Sequence, residues 1–326
     1  MVHIPPGDID LIALGEALID FISVEPADSL FDARVFQKYQ GGSPANLCVN
    51  LAKLGGRAAF IGKTGSGAFG AFIAVELRAA GVITDYIVQD PLVRTSVIFV
   101  TKTAGTPDFE AFRDGDFRLT PEEIDAEVIR RARVVHASMW PISREPSRSA
   151  VMRAFDIANE AGRIISFDPN YSRRIWPNHA EAREVLPRLL RKVTIVKPSL
   201  DDARRFFADD VSPEDYIARY HAFGPQVVVF TMGQEGVLLS DAGQITAIPA
   251  QPVTVVDATG AGDAFWAGFL AALLDGHPLE LCARFAREVV GMKLRRVGPL
   301  PSGLNRAAIY ARLAEDYPTN DYPTND

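Results

Sequence analysis

Residues 255–274 read VVDATGAGDAFWAGFLAALL. An apolar, strand-like run ends at Asp257, small residues including two glycines follow, and a helix is predicted to begin with Asp263 in its first turn. Glycine lets the main chain approach a ligand closely, while the free amides and the dipole at a helix start favour negative charge. A carboxylate at such a turn can simply cap the helix, worth ~0.5–2 kcal/mol. Capping alone does not require Gly260-Ala261-Gly262 before it. An acid that takes a proton from a nucleophile, beside amides that hold a transferring phosphoryl group, explains both features. The stretch therefore predicts a kinase-type anion loop between a strand and a helix.

A second stretch competes for the phosphate. Residues 62–70, GKTGSGAFG, look both like a P-loop and like the G-x-G-x-x-G of a dinucleotide fold. The P-loop reading fails on a count, because the motif places four residues between its first glycine and the Gly-Lys pair. Here Gly56 lies one position too far from Gly62, and Arg57 holds the required place. The dinucleotide reading has a strand before Gly65, a helix after Gly70, and Asp85 and Asp90 near the distance of a ribose-binding acid. A lone G-x-G-x-x-G is a weak signal, and a glycine-rich turn between strand and helix accounts for it equally.

The chain has 326 residues, enough for one large or two modest domains, with 48% hydrophobic and 23% charged residues. Its net charge of −7 disfavours nucleic acid and anionic membrane as partners and points to small molecules. The two cysteines, Cys48 and Cys282, both fall in apolar helical patterns, so buried thiols in a reducing cytoplasm are expected rather than a disulfide framework. No run approaches the ~18 apolar residues of a membrane span, and the N-terminus has no secretory pattern.

Short apolar runs alternate with amphipathic stretches along most of the chain, predicting a mostly parallel sheet covered by helices in three α/β/α layers. Strands are expected at Ile9–Leu14, Ala58–Gly62, Val134–Ala137, Ile164–Asp168, Thr194–Lys197 and Val227–Thr231. Two segments break the alternation, 20–40 and 94–118, and read as a small separate β-sheet that could act as a lid. The remainder, 1–19, 41–93 and 119–315, forms the large domain, and the duplicated polar tail at 316–326 is expected to be disordered.

These motifs, in this order, resemble the ribokinase-like, or PfkB, carbohydrate kinases from about Ile9 to Leu304. Asp257-Ala258-Thr259-Gly260-Ala261-Gly262-Asp263 is similar to the family's C-terminal signature and Gly41-Gly42-Ser43-Pro44-Ala45-Asn46 to its N-terminal one. Gly15 to Asp20, Asp168-Pro169-Asn170-Tyr171 with Trp176, and Thr231 to Gly236 resemble further family blocks, and residues 62–70 align with a segment that shapes the sugar side. The resemblance implies that Asp263 is the base and that the amides from Gly260 to Asp263, Ala261 among them, form the anion hole. It implies that Asp20, Gly41, Gly42 and Asn46 surround the sugar, with Arg113 and Arg173 as further contacts. Lys197, Ser199, Thr231, Gly233, Gly236, Thr259, Gly260 and Gly262 fall on the nucleotide side.

ATP and magnesium are the implied cofactors. Where the family has Asn-x-x-Glu, this chain has Ser199-Leu200-Asp201-Asp202, so Asp202 is left with a water-mediated magnesium role. Relatives also often carry an acid where this chain has Ser66 and Gly67. A potassium ion is implied at Asp257, Thr259, Gly298 and Ser302, and a homodimer through the lid. Fructose is the leading substrate. A 2-keto-3-deoxygluconate kinase is the alternative, since two arginines could pair a carboxylate in bidentate fashion. A catalytically silent binding protein on the same fold and an NAD-dependent dehydrogenase remain as readings of other classes.

Overall fold

The computed structural model describes residues 2–103, 108–176, 178–296 and 298–316. The main sheet is built from β1 (Ile9–Leu14), and a second sheet starts with β2 (Leu18–Pro26) and β3 (Phe36–Gly41). Then come β4 (Ala58–Gly65) and β5 (Ile87–Asp90) in the main sheet, and β6 (Val97–Lys102) and β7 (Phe109–Phe112) in the second. The main sheet is completed by β8 (Ala132–Ser138), β9 (Ile164–Asp168), β10 (Ile195–Val196), β11 (Val227–Thr231), β12 (Val237–Asp241) and β13 (Gln244–Ile248). Its spatial order is β13-β12-β11-β10-β9-β8-β1-β4-β5, parallel from β11 through β5, with β12 pairing antiparallel to both of its neighbours.

The helices are α1 (Ser43–Lys53), α2 (Ala68–Ala79), α3 (Ala126–Arg131), α4 (Ser147–Glu160), α5 (His179–Leu190), α6 (Leu200–Phe207), α7 (Pro213–Phe223), α8 (Ala261–Leu274), α9 (Leu279–Leu294) and α10 (Arg306–Asp316). Strand side chains alternate between faces, so β1 divides its apolar residues between two cores. Leu11 and Ala13 pack with α1, α2, α8, α9 and α10, whereas Ile12 and Leu14 pack with α3 through α7. This is the expected three-layer α/β/α arrangement, and it sends the carboxyl ends of β1, β9, β10 and β11 to one edge of the sheet. No helix among the described residues is long and apolar enough to cross a membrane.

The second sheet has the order β3-β2-β6-β7, with β2 and β6 parallel and the outer pairs antiparallel. Phe99 binds it together. Its ring stacks on Phe21 at 5.0 Å between centroids and meets Phe36 and Phe112 edge-on at 5.2 and 5.9 Å. Phe69 of α2 touches Phe21 and so couples this sheet to the large body.

The six expected strands are present, the fifth shortened to Ile195–Val196, and three were not anticipated: β5, β12 and β13. The strand-like run before Asp257 is a correction. It forms no ladder, and instead the amide of Val256 donates to the Leu294 carbonyl at the end of α9 over 2.7 Å, leaving the Val255 and Val256 side chains exposed. Apolar content alone suggested a strand there, but the segment is a tether to a helix end. The tail expected at 316–326 lies outside the described residues except for Asp316, the last residue of α10.

Candidate active site

Helix α8 begins after Gly260, which adopts the left-handed conformation (φ 73°) and contributes no side-chain cap. The turn is closed by the Ala261 amide on the Ala258 carbonyl at 3.1 Å. The amides of Gly262 and Asp263 have no protein acceptor among the described residues, so two N–H donors stand open at a helix start. Asp263 turns away from capping. Its Oδ1 accepts from the Ser43 hydroxyl at 2.7 Å and its Oδ2 from the Asn46 side-chain amide at 3.1 Å.

Ser43 and Asn46 share the first turn of α1, which packs against α8, so the two family signatures meet through their side chains. Burial pushes the Asp263 carboxyl up to about 6, with the bonds from Ser43 and Asn46 pulling it down and the charge of Asp168 adding to the rise. Burial likewise raises Asp20 to about 7, and the negative charge of Asp263 adds to it. Two acids near one another with values in the neutral range are the electrostatic signature of a site that moves protons.

The Gly41-Gly42 pair is explained by close approach. A Cβ on Gly41 would lie 2.2 Å from Oδ2 of Asp20, and one on Gly42 would lie 2.3 Å from the Glu16 carbonyl oxygen, with φ at 103° besides. Bare backbone thus lets β2 and the start of α1 close around the Asp20 carboxylate. Behind them Glu16 is buried, accepting from the Ser43 amide at 3.2 Å and the Ser138 hydroxyl at 3.3 Å, and burial raises it to about 8.

Lys197, just past β10, is buried and pairs with Asp168, at the end of β9, at 2.9 Å. Burial disfavours its ammonium, but the carboxylates of Asp168, Asp202 and Asp263 together outweigh it and raise the lysine. A Cβ on Gly262 would come within 3.6 Å of Nζ, so the cation lies directly behind the anion loop. Thr231 ends β11, and its hydroxyl donates to the Pro198 carbonyl at 3.4 Å; Gly233 and Gly236 carry the turn that follows.

Several residues expected at the site bind partners within the protein. Asp202 has both oxygens engaged: Oδ2 accepts from the Ser199 hydroxyl at 2.6 Å and amide at 3.2 Å, and Oδ1 from the Tyr171 amide at 3.0 Å. Ser199 and Asp202 therefore form a capping box for α6, and with Arg205 also donating to Oδ1 at 3.3 Å the carboxylate is committed to the protein's own donors. No group of three or more metal-ligating side chains occurs among the described residues. Arg113 is held by Asp116 at 2.6 Å, by the Ser143 hydroxyl at 2.8 Å and by the Trp140 carbonyl at 3.3 Å. Arg173 is exposed and makes none of these contacts.

Lys63 is no phosphate lysine, being buried between Glu123 at 2.6 Å and Asp90 at 3.5 Å. The glycine spacing of residues 62–70 serves packing, since a Cβ on Gly70 would fall 1.8 Å from the Gly65 carbonyl oxygen. Potassium does not fit either. Lys293 directs its ammonium onto Asp257, while Asp257 Oδ1 is taken by the Thr259 amide at 2.9 Å. Sequence reasoning missed Ser43, Glu16 and Lys293. Ser43 and Glu16 each stood inside a quoted motif, and a lysine in an apolar helix at residue 293 was the available signal for the third.

An open helix start, an acid bonded by an amide and a hydroxyl, and a buried lysine beneath them at a strand edge define a phosphoryl-transfer enzyme. The description "pfkB family carbohydrate kinase" matches residues 8–303, and the chain belongs to that family. It is a sugar kinase. It is 35% identical over 291 residues to an ATP-dependent 6-phosphofructokinase of Thermoanaerobacterium thermosaccharolyticum, covering 89% of each chain. It is also 35% identical over 302 residues to fructokinase-1 of Oryza sativa subsp. japonica, covering 90% of this chain and 94% of the other. The solved fructokinase of Halothermothrix orenii superimposes with a TM-score of 0.78 at 40% identity, covering 86% of this chain and 98% of the other.

Proposed function

We propose that the protein transfers the γ-phosphoryl group of ATP to a primary hydroxyl of fructose. The observation that carries this reading is Asp263, bonded to Ser43 and Asn46 immediately beside the open amides of Gly262 and Asp263. The sugar hydroxyl gives its proton to Asp263 as its oxygen attacks the γ-phosphorus, and the bond to the bridging oxygen of ADP breaks. The amides of α8 stabilise the negative charge carried by the transferring group, and Lys197 adds positive charge behind them.

Asp20 and Asn46 suit the remaining sugar hydroxyls, as a fixed acceptor and an amide that both donates and accepts. Thr231, Gly233, Gly236 and the backbone at Ser199 and Thr259 face the nucleotide. Magnesium would arrive on ATP and neutralise its phosphates. The second sheet, residues 20–40 and 94–118, acts as a lid. It also joins two copies, a role supported by exposed Phe31, Val24, Val35 and Phe112. A cytoplasmic setting is part of the same reading, supported by the two buried free thiols.

A specific observation favours a second reading, an anionic sugar such as a sugar phosphate or 2-keto-3-deoxygluconate. Arg113, Arg144 and Arg174 line one cavity of about 400 Å³ with Phe109 and Ile175. Arg113 and Arg174 are committed to Asp116 and Asp108, but Arg144 has no acidic partner among the described residues and lies over the Phe117 ring at 4.9 Å. An ADP-release assay over fructose, fructose 6-phosphate, 2-keto-3-deoxygluconate, ribose and adenosine separates the readings. Fructose should turn over fastest, and preference for an anionic sugar that collapses in Arg144→Ala would replace the first reading with the second. Asp263→Asn should lower turnover by ~10²–10⁴-fold with ATP affinity nearly unchanged, and near wild-type turnover would remove the base assignment.

A further inference from the structure

The oxygens around Asp257 already hold a cation, and it belongs to the protein. Lys293, in the last turn of α9, is 2% exposed. Its ammonium donates to the Asp257 carbonyl at 3.2 Å, to Asp257 Oδ2 at 3.1 Å and to the Arg296 carbonyl at 3.3 Å. An ammonium has three donors and no acceptor, so three oxygens satisfy it fully. Asp257 in turn receives the Thr259 amide on its other oxygen at 2.9 Å, which links the ammonium by two bonds to the loop that opens α8. Although burial would raise the Asp257 carboxyl, its bonds to Thr259 and the charge of Lys293 hold it below its ordinary value, consistent with a carboxylate bound to a fixed cation.

The neighbouring strand of loop is anchored by other groups. The Leu300 carbonyl accepts from the Lys53 ammonium at 2.7 Å, and the Leu300 amide donates to the Asn50 side chain at 3.2 Å. A potassium ion placed on Asp257 would have to displace a buried ammonium, which would then be left in low dielectric without its acceptors. An unpaired buried charge of that kind is strongly disfavoured.

We propose that Lys293 supplies from within the chain the single positive charge that a monovalent metal ion would supply there, so that the anion loop is formed and the enzyme works without potassium. Lys293 is a positioning residue, acting through Asp257 and Thr259 on the amides of Gly262 and Asp263. This rests on the kinase reading for its catalytic consequence but not for its structural one.

The test compares potassium, sodium and choline chlorides at equal ionic strength, reading turnover, ADP affinity by calorimetry, and the melting temperature of the ligand-free protein. For the wild type all three should agree across the salts to within about twofold in rate and affinity, with no potassium-specific shift in melting. In Lys293→Ala, which opens the position, ADP affinity should fall in sodium and recover in potassium or ammonium, with a parallel potassium-specific rise in melting temperature. Potassium activation of the wild type beyond that limit overturns the proposal, even should the variant fail to fold. So does a folded variant with no cation rescue. Absence of turnover on every sugar, with these melting and binding responses intact, would count against the kinase reading alone.

Discussion

Ser43 and Asp263 lie 220 positions apart in the chain and are joined by a 2.7 Å hydrogen bond in which the serine hydroxyl donates to Oδ1. A donor to a carboxylate favours its charged form, and this bond is the largest influence holding Asp263 down against burial. Ser43→Ala should therefore raise the value above about 6. With Asp263 as the proposed base, active only when deprotonated, the acid limb of kcat/KM should move to higher pH, with the fold-loss greatest at and below about pH 6 and nearly gone above about pH 8. A pH profile of kcat/KM checks it; an equal loss at every pH would mean that Ser43 serves only the architecture.

Gly41 and Gly42 are adjacent, yet alanine should act differently at each. At Gly41 the clash is with the carboxylate of Asp20, a side-chain end that can rotate, so Gly41→Ala should spare folding but turn Asp20 away from the sugar. The expected result is a KM for sugar raised by ~10-fold or more with little change in melting temperature. At Gly42 the clash is with the Glu16 carbonyl and φ is 103°, strain that no side-chain rotation relieves. Gly42→Ala should cost ~1–3 kcal/mol and lower the melting temperature by several degrees. Thermal melts beside sugar saturation curves distinguish the two.

How much of this was legible follows from the kind of signal each part carries. The parallel strands β1, β4, β8, β9, β10 and β11 were readable because burial on both faces leaves unbroken apolar runs such as Val227–Phe230. β13 was not, because at a sheet edge its sequence, QITAI, leaves most side chains exposed and gives no such run. The open helix start at residue 260 was legible because glycine spacing and a helix start are local. The bond from Ser43 to Asp263, the pairing of Lys197 with Asp168 and the ammonium on Asp257 are meetings of distant segments, which periodicity cannot express. The Ser199 cap on Asp202 was missed for a related reason: its bonds to Ser199 and Tyr171 are not written in the motif.

The Lys197–Asp168 pair gives the next prediction. Lys197→Met leaves the Asp168 acid buried without its cation, which should cost about 3–5 kcal/mol, and it removes the positive charge that lowers Asp263. Melting temperature and ATP affinity should both fall, and the pH limb of kcat/KM should move upward. Adding Asp168→Leu to that variant should restore much of the stability, since an apolar pair can replace a buried ionic one, but not the ATP affinity. Recovery of both in the double variant would show that the pair matters only for folding.

Glu16 sits behind Gly42 and Ser43, 2% exposed and raised by burial to about 8 against 4.5 for a free glutamate. Between those values the folded protein keeps a proton that the unfolded chain has released, so stability must fall as pH rises through this window, by up to about 1.4 kcal/mol per pH unit. Glu16→Gln keeps the shape and an acceptor for the Ser43 amide but has nothing to ionise. Its stability relative to wild type should therefore grow from pH 6 to pH 8 and level off above. Urea midpoints of the two proteins at several pH values provide the measurement, and the difference between them cancels other groups such as Asp20 that titrate in the same range. A difference that stays flat with pH would mean that Glu16 is ionised in the fold, with the Ser43 amide and the Ser138 hydroxyl outweighing burial.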